Sequence, residues 1–188
     1  MLAVEPNPGW GERLDFISRS NQGRVVLSCK ALGSTPGMAV LNVCSVPGYS
    51  TLLETDNDWM KSSPDYAAAK WTHRVDVEVT TLDSLLATTP ATPAFVKIDV
   101  EGYELEVLKG MTCKPRIVSF EFGARRKAIP LECIKRFEIA GYNFRPMVGR
   151  EYSFATLEWA GGADAIQWLE GFTSERGEYG DMFARLPS

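Results

Sequence analysis

Apolar positions along this chain come in short runs broken by polar or Pro/Gly-rich stretches. Their period switches between strand-like alternation and helical spacing. Val75-Asp76-Val77-Glu78-Val79-Thr80 alternates strictly, which predicts a half-exposed strand over residues 75–80. Short apolar runs predict further strands at 1–4, 24–29, 38–43, 95–99 and 116–122, and a terminal strand or tail at 180–185. Pro6-Asn7-Pro8-Gly9 ends the first of these. Trp10, Leu14, Phe16 and Ile17 fall at helical spacing and predict a helix over 10–20, closed by Asn21-Gln22-Gly23. Ile134, Phe137 and Ile139 do the same for 131–140, with Gly141 as its C-cap. Shorter helices are expected at 81–86, after Gly102, and at 163–169. Residues 142–147 and 152–157 read as the two strands of a late hairpin. Residues 49–70 read as irregular surface structure with a short helix over 66–69, and 88–93 as a Pro/Thr-rich loop. Strands alternating with helices predict an α/β domain with a mostly parallel sheet and helices on both faces.

The stretch Phe95-Val96-Lys97-Ile98-Asp99-Val100-Glu101-Gly102-Tyr103-Glu104-Leu105-Glu106-Val107-Leu108-Lys109-Gly110 carries the most chemistry. It reads as a buried strand ending in two carboxylates, a Gly pivot and a short helix. Side chains alternate along a strand, so Asp99 and Glu101 are expected to point the same way. The carboxyl edge of an open α/β sheet is where ligands bind. A carboxylate there can align an acceptor hydroxyl and take its proton, or bind a cofactor or cation; capping the next helix is the structural alternative. Glu5 ends the first strand, where a carboxylate can hold a ribose diol. Glu121 interrupts an apolar strand and needs a partner if buried, which suggests a place at the mouth of a substrate pocket. His73 could act as a base near neutral pH, and a solvated loop histidine is the bland reading. Glu104 and Glu106 early and Lys109 late in a short helix suit the helix dipole. Lys97 reads as a snorkelling lysine at the core edge, with a carboxylate partner as the alternative.

Lys97-Ile98-Asp99-Val100-Glu101-Gly102-Tyr103-Glu104 resembles the signature of the FkbM-type methyltransferases. Val79-Thr80-Thr81-Leu82-Asp83-Ser84-Leu85, at the right spacing before it, resembles the same family. Val4-Glu5-Pro6-Asn7-Pro8 is similar to the family's second sheet strand, Ile117-Val118-Ser119-Phe120-Glu121 to a later one, and Gly180-Asp181-Met182-Phe183-Ala184-Arg185 to a common ending. The resemblance implies a Rossmann-like fold and S-adenosylmethionine-dependent methylation of a hydroxyl on a small molecule or sugar. It implies cofactor binding by Glu5, Asn7, Ala31 and Asp99, catalysis by Asp99 and Glu101, and a substrate pocket near Glu121 and His73. Members open with a strand and a turn of the Asp-x-Gly-Ala-Asn-x-Gly type before the Glu-Pro-Asn segment; here Met1 stands four residues before Glu5. Residues 1–188 are therefore expected to form one FkbM-type domain lacking the usual first strand, as if truncated at the N-terminus. Direct pairing of the flanking strands and a decayed, non-catalytic remnant or partner-binding module are the alternatives.

Composition narrows the classes without choosing among them. The chain has 188 residues, a net charge of −4 and 23% charged residues, ordinary for a globular domain and without the basic footprint of a nucleic-acid binder. Arg125-Arg126-Lys127 is the tightest basic cluster and reads as a solvated helix start. No apolar run approaches the roughly 20 residues of a membrane span, so neither nucleic acid nor membrane is expected as a partner. Four scattered cysteines and a single histidine argue against a structural zinc site, and no metal ligands are assigned. A cytoplasmic, reducing environment is the default reading.

Overall fold

The computed structural model describes residues 1–55, 60–61, 67, 69–87, 92–149, 153–156, 158–175 and 179–187. β1 (Leu2–Val4) runs into a 3₁₀ turn at Pro8–Trp10, helix α1 (Gly11–Ser20) and strand β2 (Val26–Ser28). Asn7 caps that turn, its side-chain oxygen accepting the Gly9 N–H at 2.9 Å. β3 (Ala31–Leu32), β4 (Gly37–Cys44) and β5 (Trp71–Thr80) follow, then α2 (Leu82–Leu86), whose N-cap Thr81 accepts the Ser84 N–H. The remainder is β6 (Phe95–Ile98), α3 (Glu104–Lys109), β7 (Ile117–Gly123), α4 (Ala128–Ile139), β8 (Asn143–Val148), α5 (Gly162–Glu170) and β9 (Tyr179–Arg185).

The α/β class holds, but the pairing is mixed rather than mostly parallel. β1 and β2 form a parallel pair; β3, β5 and β4 form a second sheet, parallel at β3–β5 and antiparallel at β5–β4. The third sheet runs β6-β7-β9-β8, parallel only at β6–β7. The expected hairpin of 142–147 with 152–157 is met in part: among the described residues the two segments touch antiparallel, the Ala155 N–H donating to Pro146 O at 2.8 Å. β8 pairs along its length with the terminal strand β9, while Phe154 makes only an isolated bridge to Met147. β9, whose side chains alternate between half-buried and buried, fills the interior place between β7 and β8. Tyr152, Leu157, much of the predicted helix 66–69 and residues 88–91 lie outside the described residues.

Helices gather on one face of the third sheet. Ile98, Val118, Phe120, Phe122, Phe144 and Met182 pack there against Val107 and Leu108 of α3, Ile134 and Phe137 of α4, and Leu169 of α5. Phe120 stacks on Phe137 with ring centroids 5.7 Å apart. The opposite face carries Phe95, Lys97, Ser119, Glu121, Asp181 and Phe183, none of which belongs to the helix-covered core cluster. A smaller core of Ala31, Leu41, Val43, Val77 and Val79 lies in the second sheet.

The two regions meet tightly at Gly110, after α3. A Cβ there would lie 2.1 Å from the backbone oxygen of Gly33 and 3.1 Å from Thr81 Cβ. The Gly33 backbone is itself tied to Thr80 by a 2.9 Å hydrogen bond, so it cannot yield cheaply. Gly110→Ala is expected to destabilise the fold by about 3 kcal/mol in urea unfolding, at the upper end of overpacking costs. Gly37→Ala, at the exposed start of β4 where nothing lies within 4 Å of the new Cβ, serves as the control and should shift stability by less than about 0.5 kcal/mol.

Candidate functional site

A cavity of about 580 Å³ lies between β1 and β6, within the range of ligand pockets. Leu2, Val4 and Glu5 line one side, Phe95 to Val100 the other, and Asn7, Ala31, Ser50, Thr51 and Tyr103 close its end. All four residues expected to bind a cofactor, Glu5, Asn7, Ala31 and Asp99, therefore border one space. Ala31 reaches it because it lies in β3, beside Val79 of β5.

Each of these residues is positioned locally. The Glu5 N–H donates to Ser28 O at 3.0 Å, which extends the β1–β2 ladder to the end of the strand. Its carboxylate accepts the Asn7 N–H at 2.8 Å, a turn that Pro6 favours. Burial raises the Glu5 pKa above the ordinary carboxylate value, and the bond from Asn7 offsets part of that rise. Asn7 also reaches Ser50 Oγ through its side-chain nitrogen at 3.5 Å.

Asp99 and Glu101 come together by a different route from strand alternation. β6 ends at Ile98, and Glu101 takes a left-handed φ of 53°, followed by Gly102 at 98°. A non-glycine residue in that region stores strain that its surroundings must hold. Thr51 does part of this work, its hydroxyl donating to Glu101 O at 2.9 Å. Glu104 does more: its Oε1 accepts the Gly102 N–H at 3.0 Å from a fully buried position. Gly102 is thus the pivot that the sequence suggested, and Glu104 holds the turn as well as suiting the helix dipole.

The turn brings Glu101 to Glu121 on β7. One carboxylate oxygen from each of Asp99, Glu101 and Glu121 lies within 4.8 Å of the other two. Arg126 sits among them, 8% exposed, paired with Glu121 and 3.9 Å from Glu101. The solvated reading of Arg125-Arg126-Lys127 fails at its middle residue. The signal lay in Glu121, an acid in an apolar strand that had to find a cation nearby. Desolvation pushes the Glu121 pKa up to about 8, the Arg126 charge opposes this, and Glu101, Asp99 and Glu104 reinforce it.

Lys97 is a carboxylate partner rather than a simple snorkelling lysine. Its Nζ donates to Asp181 at 2.8 Å and lies 3.4 Å from Asp99. Burial alone would lower its pKa, but the Asp181 hydrogen bond and the Asp99 charge raise it. Asp99 is the link between the acidic group and the cavity, since it belongs to both. His73 is not brought to either: it lies exposed on β5, opposite Val43, with its Nδ1 3.0 Å from Thr72 Oγ1.

Among the described residues no helix is long and apolar enough to cross a membrane. No solved structure matches the chain significantly. Among curated proteins it is similar to the hexuronic acid methyltransferase AglP of Haloferax volcanii, 32% identical over 127 residues. That match covers 64% of this chain and 44% of the relative, so the chain spans less than half the length of the protein it matches. The family described as "Methyltransferase FkbM domain" matches residues 1–155, beginning with β1 and taking in the cavity and the acidic turn, and the chain belongs to that family.

Proposed function

We propose that this protein is an S-adenosylmethionine-dependent O-methyltransferase whose acceptor is a hydroxyl of a sugar or related small molecule. The observation that carries the reading is the placement of Glu5 and Asp99, carboxylates ending two different strands, around one space with the small residue Ala31. The cofactor, when bound, supplies an electrophilic methyl group. Glu5 would hold the ribose diol, Asn7 would shape the turn that presents it, and Ala31 would leave room for the adenine. Asp99 would orient the acceptor hydroxyl and take its proton as oxygen bonds to the methyl carbon and the carbon–sulfur bond breaks. Glu101 and Glu121 would line the acceptor side, held by Arg126. A sugar acceptor is favoured by the kind of substrate that AglP's name states.

The reading also bears on the domain. Neither β1 nor β6 has a strand neighbour on its cavity side among the described residues, so direct pairing of the two does not occur. Val26 N donates to Met1 O, and Ile117 N to Ala94 O. By the alternation of a parallel ladder, the backbone groups of Leu2, Val4, Phe95 and Lys97 then face the cavity. Two such open edges would accept one further strand, which would join the sheets into a Rossmann-like whole. We place the active unit in such a larger domain, with the cofactor at the carboxyl ends of the joined strands.

Calorimetric titration with S-adenosylhomocysteine tests the assignment. Binding is expected, and Glu5→Ala should weaken it about 10- to 100-fold, the worth of a charged hydrogen-bond acceptor. Binding that ignores Glu5→Ala would remove the ribose role. No binding to the folded chain, with or without residues added upstream of Met1, would favour a non-catalytic module.

A further inference from the structure

Strand register gathers a group of rings and cations on the face of the third sheet opposite its helix-covered core. Lys97, Ser119, Phe183 and Arg145 lie in one row across β6, β7, β9 and β8. Arg185 stands two residues along β9 from Phe183, on the same face. Phe95 and Phe183 stack with ring centroids 6.4 Å apart, and Phe154 meets Phe183 edge-on at 5.4 Å. Trp159 adjoins Phe154, with centroids 6.1 Å apart. The Arg145 guanidinium lies 4.1 Å from the Phe154 ring centre, and that of Arg185 lies 4.2 Å from the Trp159 ring centre. Rings and guanidinium groups form one continuous surface.

Charge decides what suits this surface. Phe95 is 50% exposed and Phe154 39%, so both present apolar area to solvent. Arg145 Nε donates to Thr156 O at 2.9 Å. Among the described residues neither Arg145 nor Arg185 stands in an ion pair. A purely apolar cover would strip both guanidinium groups of water without supplying a counter-charge, which is costly. A sugar acid meets both demands: its pyranose ring has a flat C–H face for the aromatic rings, and its carboxylate accepts paired N–H bonds from a guanidinium. The surface is also continuous with the cavity, because Phe95 and Lys97 border both. With strands about 4.8 Å apart and a rise of about 3.3 Å per residue, Phe183 and Arg145 lie roughly 10–15 Å from Asp99. That is farther than one sugar ring reaches.

We propose that this surface is an extended acceptor subsite for a carboxylated oligosaccharide. The sugar to be methylated would sit at Asp99, and its neighbours in the glycan would cross the sheet face over Phe95 and Phe183 toward Phe154. Arg145 and Arg185 would pair with their carboxylates. Two guanidinium groups seated on different rings suit charges repeated along a glycan better than one terminal phosphate, which draws its cations to a single point. This deepens the methyltransferase reading and rests on it for the role of the bound glycan as acceptor. The sequence pattern does not show the group, because its members lie on separate segments that only the register of β6, β7, β9 and β8 brings together.

Calorimetric titration of the chain with trigalacturonic acid, neutral maltotriose and monomeric galacturonic acid tests the subsite. Saturable binding of the charged trimer is expected, about tenfold or more tighter than that of either comparison sugar. Arg145→Gln should weaken the charged trimer about tenfold and bring it near maltotriose. Phe154→Ala should weaken both trimers by about three- to tenfold, the worth of one ring contact. Phe16→Ala, which removes a ring 66% exposed on α1, should change none of them. Should Arg145→Gln fail to fold, Arg185→Gln carries the same test. No binding of the charged trimer, equal affinity for it and either comparison sugar, or a loss in the arginine variant no greater than in Phe16→Ala overturns the proposal. S-adenosylhomocysteine titrated into the same samples keeps the two readings apart. Cofactor binding without trimer binding rejects the subsite alone, and the reverse pattern rejects the methyltransferase assignment alone.

Discussion

Replacing Arg126 with methionine is expected to destabilise the protein by about 3–5 kcal/mol at pH 9, the cost of stranding a buried charge. Arg126 is 8% exposed and is the cation that contacts both Glu121 and Glu101. Methionine keeps much of the side-chain volume, so the loss reports on charge rather than on a cavity. The effect should shrink as pH falls, and its sign follows from Glu121. Its folded-state pKa is raised to about 8, chiefly by desolvation. Between the ordinary carboxylate value and 8, the folded chain holds a proton that the unfolded chain has released. Stability of the parent therefore falls as pH rises through that window and levels off above it. Without Arg126 the protonated form is favoured further, so at pH 6 Glu121 is neutral and the substitution costs less. Urea unfolding at pH 6 and pH 9 measures this. The double variant Arg126→Met with Glu121→Gln should recover much of the loss at pH 9. Equal stability of parent and single variant at both pH values would show that the guanidinium does not compensate these acids.

What the sequence made legible was local. Alternation placed β5, apolar runs placed β6 and β7, and the Leu131-to-Ala140 periodicity placed α4, because each rests on side-chain period alone. Pairing partners were not legible. Nothing in Gly180-Asp181-Met182-Phe183-Ala184-Arg185 says that it enters between β7 and β8, since an alternating strand suits an interior or an edge place equally. The site was half legible for the same reason. Asp99 and Glu5 sit at strand ends, and strand ends are readable. Glu101 reaches the others through a left-handed φ, which residue type disfavours and which tertiary contacts from Thr51 and Glu104 sustain. Arg126 was hidden because a run of three basic residues has no pattern to show which one turns inward. Only the demand of Glu121 for a partner pointed to it.

On the proposed reading, Asp99→Asn is expected to lower the rate of methyl transfer to a sugar hydroxyl by about 10²–10⁴-fold, the usual worth of a positioned base. Asparagine keeps the size and can still accept a hydrogen bond, but it cannot take a proton. Folding should survive: Asp99 is half exposed, and its contact with Lys97 at 3.4 Å is shared with Asp181, so the lost pair is worth less than about 1 kcal/mol. The informative comparison is with Glu5→Ala. Glu5, which follows β1 on the other side of the cavity, would hold the cofactor rather than the acceptor. Its loss should weaken S-adenosylhomocysteine binding while leaving the rate at saturating cofactor within about tenfold. Asp99→Asn should show the reverse split, with cofactor affinity changed less than the rate. Steady-state kinetics on both variants decide the matter. If Asp99→Asn weakens the cofactor as much as it slows transfer, the carboxylate binds the cofactor alone, and the proton must leave by way of Glu101 or the solvent.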